Sequence, residues 1–432
     1  MNSESRKKEA MNYVQSIFYP AVNDLISDFK LPEQKFIKQI VFGIIKSRSV
    51  IGQRIAKSLE ENIKLCKTCD RLYRNLKKTY LHSILMFEHM KKTAVNIEED
   101  TPIFIDLSDI NKSGSCRMEG LDKVWDGSES KSNLGYFTFQ ATFCAPENPR
   151  KISLYYSDLF GLEKEIVSEN EKILEFIHQS MICTGNKGIY VGDKGFDRGQ
   201  LITDMIENDG SFIFCGDKRH LLFKEKMQSY HDIAIETKLI YEVKSKKRIY
   251  KANIVEVGYK LPNPPQRKHK RKRVAKLYLV IAKEKDKGYV YYLCRFRKEY
   301  SAEKTVQMAI QYYGMRWSIE EVHQQIKQDF GWEKIQFLHY ESLKNMNALL
   351  WIAAGFIYNE VRKIALYLIK KIPGRMVYKN FKKEFSKNMY YKLTDTVSHL
   401  FELFRLKPKK KYKGRWKKYY LINQQFVLRL ED

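Results

Sequence analysis

The chain has 432 residues, more than one hydrophobic core usually organises, so two to four domains or subdomains are expected. Hydrophobic content is ordinary at 44%, but 78 Lys and Arg against 51 Asp and Glu leave a formal net charge of +27, spread along the whole chain. That excess suits a large polyanion such as DNA, RNA or an anionic membrane surface, with a solvated basic surface as the plain alternative. Spanning a membrane is excluded: no run of about 20 apolar residues occurs, and the apolar stretch 349–358 reads as a buried helix. The polar Met1–Ala10 stretch does not read as a signal peptide, and the seven scattered cysteines fit reduced thiols. A cytoplasmic protein is expected.

In chain order, residues 1–98 read as helical, with basic residues punctuating apolar ones from Phe36 to Met90. Pro102-Ile-Phe-Ile105 then reads as a short buried strand that ends in Asp106. Tyr136–Cys144 and Ile152–Tyr156 read as further strands, and Leu162–Gln179 has helical periodicity. Gly188–Val191 is another short strand, ending at Gly192-Asp193, followed by a helix over Arg198–Glu207 and a strand over Ser211–Cys215. From about His220 to Tyr292 the alternation is strand-like, interrupted by a proline-rich basic loop that contains Arg267, Lys268, Lys270, Arg271, Lys272 and Arg273. Helices dominate from Ala302, and the tail carries a basic-aromatic run over 407–420.

These elements suggest an α/β core, preceded by a helical domain and followed by helices. The expected division is a helical DNA-binding domain over 1–98, core segments over 99–218 and 293–365, a β-rich insertion over 219–292, and a helical basic region over 366–432. Carboxylates at the C-terminal ends of strands are where such sheets place their chemistry.

The most informative segment runs from Tyr313 to Lys327. If it is one helix, Tyr313, Arg316, Glu320 and Lys327 fall within roughly a 60° stripe at about 100° per residue. A carboxylate so placed can bind a hard metal ion, while the arginine, lysine and tyrosine can hold phosphates. The plain alternative is a solvated face with intrahelical Glu–Arg and Glu–Lys pairs.

The spacing Y-x2-R-x3-E-x6-K is the signature of bacterial insertion-sequence-four transposases, the group that includes the Tn-five-like enzymes. The chain resembles that group at all four positions, and over residues 100–365 more broadly. Asp106, within Ile105–Ile110, looks like the family's first aspartate, and Asp193, within Val191–Asp197, looks like the second. The neighbours Asp109 and Asp197 are read as helix or turn caps, and Glu321 lies about 100° from Glu320 on the helix.

The resemblance implies a ribonuclease-H-like core that uses two Mg2+ (or Mn2+) ions. Asp106 would bridge them, Asp193 would hold one and Glu320 the other. It implies cut-and-paste transposition: cleavage at the ends of a mobile DNA element, then joining of the 3′ hydroxyls to target DNA. The partners would be double-stranded DNA and a second protomer on paired ends. A catalytically inactive, transposase-derived DNA-binding protein is the alternative function. The family stacks an aromatic residue of the insertion on a flipped base. Here only Tyr289, Tyr291 and Tyr292 occupy that region, and strand packing is their stronger reading. No glycine-rich nucleotide loop occurs, so no nucleotide cofactor is expected.

Overall fold

The computed structural model describes residues 3–115, 117–126, 131–246, 248–262, 273–284, 287–364, 389–402, 404–407 and 427–430. Five helices open the chain: α1 (Ser3–Leu25), α2 (Leu31–Ser47), α3 (Gly52–Ser58), α4 (Leu65–Leu76) and α5 (Leu81–Ala94). Pro32 sits in the first turn of α2, where a missing N–H costs nothing, and the helix stops at Arg48 in the left-handed region (φ 47°). Next come β1 (Pro102–Asn111), β2 (Asp122–Asp126), β3 (Lys131–Phe143) and β4 (Ser153–Phe160). They are followed by α6 (Leu162–Glu165), α7 (Glu169–Thr184), β5 (Ile189–Gly192), α8 (Gly199–Glu207) and β6 (Ser211–Gly216).

The strand-like block folds as β7 (His220–Phe223), β8 (Lys226–Ser229), α9 (Tyr230–Glu236), β9 (Tyr241–Ser245), β10 (Arg248–Leu261), β11 (Arg273–Glu284) and β12 (Tyr289–Arg295). Then come the long α10 (Ala302–Phe330) and α11 (Tyr340–Gly355). Beyond lie α12 (Met389–Glu402) and the two-stranded ribbon of β13 (Phe404–Lys407) and β14 (Val427–Leu430). No helix among the described residues is long and apolar enough to cross a membrane.

Twelve strands share one sheet, with the path β2-β3-β1-β5-β6-β12-β11-β10-β7-β8 and with β4 on β3 and β9 on β10. β1, β5 and β6 are mutually parallel, and β3, β4 and β12 run antiparallel to their neighbours. A mixed sheet ordered β4-β3-β1-β5-β6 is consistent with the ribonuclease-H-like core of a DDE transposase. The strands from β7 to β12 continue that sheet, because β12 pairs with β6.

The two faces of the sheet are packed differently. Alternate residues of β1 and β5, Ile103, Ile105 and Tyr190, join the larger core with α7, α8 and the N-terminal helices. Phe104, Ile189 and Val191 point the other way, into a second core with Val306, Ala309, Ile310 and Ile319 of α10. That parity fixes which side chains of β1 and β5 can meet α10.

Three expectations change. β1 does not end at Asp106: antiparallel pairing with β3 continues to Asn111, whereas parallel pairing with β5 stops at Phe104. The helix expected over Leu162–Gln179 breaks at Ile166, in the left-handed region (φ 56°), and restarts at Ser168, whose side chain forms a capping box with Glu171. The strand-like block contains a helix, α9, begun by the Ser229–Asp232 capping box. In the tail, α12 is a helix and β13 and β14 are strands; the run 408–420 lies outside the described residues.

Candidate active site

Phe104 of β1 and Val191 of β5 are register partners on adjacent parallel strands, and both face α10. Asp106 stands two residues beyond Phe104 on the same face of β1, and Asp193 stands two residues beyond Val191, just past the end of β5. The charge of Asp193 acts on Asp106. β5 stops at Gly192, and Asp193 turns the chain: its Oδ1 accepts from the Gly195 N–H at 2.8 Å, capping a short 3-10 turn.

Glu320 arrives from the opposite side on α10. The helix is continuous from Ser301, whose hydroxyl caps it by accepting from the Lys304 N–H, to Gly331 at φ 65°. Continuity puts Tyr313, Arg316, Glu320 and Lys327 on the expected stripe. Ile319, fully buried in the second core, holds this part of the helix on the sheet.

Arg316 joins the carboxylates. Its Nη1 lies 3.3 Å from Asp106 Oδ1 and its Nη2 donates to Glu320 Oε1 at 2.7 Å, with only 12% of its side chain exposed. On the other side, His323 Nδ1 is 3.5 Å from Asp106 Oδ2. Burial drives the Asp106 carboxyl up to about 7; Arg316 opposes the rise, and the charges of Asp193 and Glu320 add to it. Asp106 therefore senses both other carboxylates, and its burial outweighs the opposing charge of Arg316. Burial also pushes His323 down to about 3, helped by Lys327 and Arg316, so its ring is neutral.

The remaining expected residues divide into three groups. Tyr313 packs on Tyr292 at 5.1 Å between ring centroids, and the Arg316 guanidinium lies 5.8 Å from the Tyr313 ring. Lys327 pairs with Glu333 at 2.9 Å, beside Lys112, which donates to the Glu333 carbonyl. Arg273 pairs with Glu207 at 2.8 Å, away from the three carboxylates' own contacts. Arg267, Lys268, Lys270, Arg271 and Lys272 lie outside the described residues. Tyr291 and Tyr292 are buried, and Tyr289 stacks on Tyr291 at 6.3 Å, which is strand packing.

The open alternatives separate on geometry. Asp197 is held by Arg219, whose Nε donates at 2.7 Å. Asp109, an odd number of residues from Asp106, belongs to the opposite face of β1, and Glu321 is exposed.

Gln140 was invisible to sequence reading. It faces Asp106 across the β1–β3 ladder, is fully buried, and neither its amide oxygen nor its nitrogen has a partner among the described residues. The only signal was one amide within an aromatic strand, Tyr136-Phe-Thr-Phe-Gln140.

Among the described residues, no three carboxylate, imidazole or thiol groups are already spaced as a metal cage. The chemistry of the donor set nevertheless fits a hard divalent ion. All three donors are carboxylates, they share one electrostatic neighbourhood, and a guanidinium occupies the gap between two of them as a cation.

Residues 160–356 match the family described as "Transposase DDE domain". The match supports a DDE transposase, an enzyme that acts on DNA. The matched span contains Asp193, Tyr313, Arg316, Glu320 and Lys327 and begins after Asp106, which joins the group through the β1–β5 pairing. No curated protein matches the chain closely enough to add a relative.

Proposed function

We propose that the chain is a cut-and-paste transposase of the insertion-sequence-four kind, which cleaves at the ends of a mobile DNA element and joins the freed 3′ hydroxyls to target DNA. Asp106, Asp193 and Glu320 hold the divalent ions. Two bound Mg2+ or Mn2+ ions supply activation of the attacking water or 3′ hydroxyl and stabilisation of the leaving oxygen. Arg316 and Lys327 take phosphate oxygens of the strand being cut, and the Tyr313 hydroxyl gives one more phosphate contact. The net charge of +27 supports a double-stranded DNA partner. Two copies acting on paired ends complete the reaction.

One observation supports this reading: Asp106 and Asp193 each lie two residues beyond the register pair Phe104–Val191 of adjacent parallel strands, and Arg316 of α10 contacts both Asp106 and Glu320. The test is incubation of the protein with duplex DNA taken from the flanks of its reading frame, in Mg2+ or in EDTA. The expected products are Mg2+-dependent breaks with 3′ hydroxyl ends, absent for Asp193→Ala although that variant still binds DNA. Undiminished cleavage by Asp193→Ala would overturn the assignment.

A further inference from the structure

Arg316 occupies the oxygens a metal ion needs. It contacts Asp106 Oδ1 at 3.3 Å and Glu320 Oε1 at 2.7 Å, and its charge is also felt by Asp193. Three carboxylates face this guanidinium, and among the described residues the set as arranged forms no metal cage. A metal ion and the guanidinium therefore compete for Asp106 and Glu320. Arg316 is one turn before Glu320 on the same helix, so a side-chain rotation alone can release it, without movement of α10. The planar fork of a guanidinium fits a phosphate as well as it fits two carboxylates. A DNA phosphate next to the site is thus a second partner for the same group.

We propose that Arg316 is a latch: in the DNA-free chain it closes the carboxylate set against divalent ions, and a DNA phosphate draws it off and opens the set. This rests on the reading that Asp106, Asp193 and Glu320 hold metal. It adds that metal and DNA strengthen each other's binding, because each favours the state in which Arg316 has left the carboxylates. Thermodynamic linkage makes that coupling reciprocal. A latch of this kind keeps a nuclease from loading ions and cutting before substrate is aligned.

The experiment measures Mn2+ binding by electron paramagnetic resonance on the full chain, with and without a short duplex, after subtraction of a duplex-only control. For the wild type, the duplex is expected to tighten Mn2+ binding about tenfold, within the usual range of coupling between sites. Arg316→Gln should bind Mn2+ about that tightly without DNA, and should gain little when DNA is added. Arg316→Lys, which keeps the charge but cannot span both carboxylates, should fall between them.

Two results would sink the latch: no gain in DNA-free Mn2+ affinity for either Arg316 variant whose thermal melt matches the wild type, or no tightening of the wild type by the duplex. The function reading fails differently. If Asp193→Asn and Glu320→Gln leave Mn2+ binding unchanged in every state, the carboxylates are not metal ligands. If those variants lose Mn2+ while Arg316→Gln gains none, only the latch is wrong.

Discussion

Around Glu165, two lysines each reach both Glu165 and Asp158; around Asp106, one arginine reaches Asp106 and Glu320. In the first cluster Lys172 and Lys344 each reach Glu165 at 2.6 Å and Asp158 at 3.5 Å, and the Tyr340 hydroxyl donates to Glu165 at 2.6 Å. Burial raises the Glu165 carboxyl, but Lys344, Lys172 and Tyr340 outweigh it and bring the group down to about 2. In the second cluster burial wins, and Asp106 rises to about 7 despite Arg316. Both clusters are buried and both are ionic, so burial alone does not mark a functional site. The pairing separates them: Lys172 and Lys344 each span Glu165 and Asp158 and tie α6, α7 and α11 to β4, whereas at Asp106 burial outweighs a single arginine.

The largest break of this comparison is Lys344→Met. It leaves Asp158 and Glu165 sharing one lysine, and removing one partner of a buried ionic group costs about 3–5 kcal/mol. Urea denaturation should show that loss; an unchanged midpoint would mean the cluster is not held by charge pairing. The second cluster should respond in the opposite direction. Asp106→Asn removes a carboxylate that its surroundings disfavour, so at pH 8 in EDTA the variant should be more stable than the wild type by about 0.5–2 kcal/mol, the usual size of a stabilising substitution. A less stable Asp106→Asn protein would remove the electrostatic imbalance from the account.

The smallest effect lies in the acid limb of stability. Glu165 is depressed from its ordinary 4.5 to about 2, so its contribution is present above 4.5 and is lost as pH falls through about 2. Asp106 is raised, so in metal-free protein its contribution is present below its ordinary 3.8 and is lost as pH rises through about 7. His82 and His89, lowered from 6.5 to about 4 chiefly by burial, add a loss as pH falls from 6.5 to about 4. Thermal melts below pH 4 should therefore decline less steeply for Glu165→Gln than for the wild type. Parallel declines would contradict the assignment of Glu165.

The second cluster was legible in the sequence because its members are marked locally. Asp106 and Asp193 each follow a short apolar run, and the four-residue stripe needs only a continuous helix, which Ser301 and Gly331 delimit. What could not be read was contact between elements. Nothing local says that β1 continues past Asp106, because that depends on pairing with β3. Gln140 and His323 reach Asp106 through the ladder and through α10, and a single sequence carries no sign of either approach. The first cluster escaped altogether: Asp158, Glu165, Lys172 and Lys344 have no mutual spacing, and only the packing of α11 on β4 gathers them. Arg316 was expected to hold a phosphate, and its guanidinium also lies against Asp106 and Glu320.

If these carboxylates hold the metal that cuts DNA, replacing one of them should change which metal supports cleavage. Asp193→Cys replaces a hard oxygen ligand with a softer sulfur, which Mg2+ accepts poorly and Mn2+ accepts better. Cleavage of end-containing DNA by this variant should be lost in Mg2+ and restored, at least in part, in Mn2+, with DNA binding unchanged. Full activity in Mg2+, or no recovery in Mn2+ by a folded protein that still binds the duplex, would contradict the account.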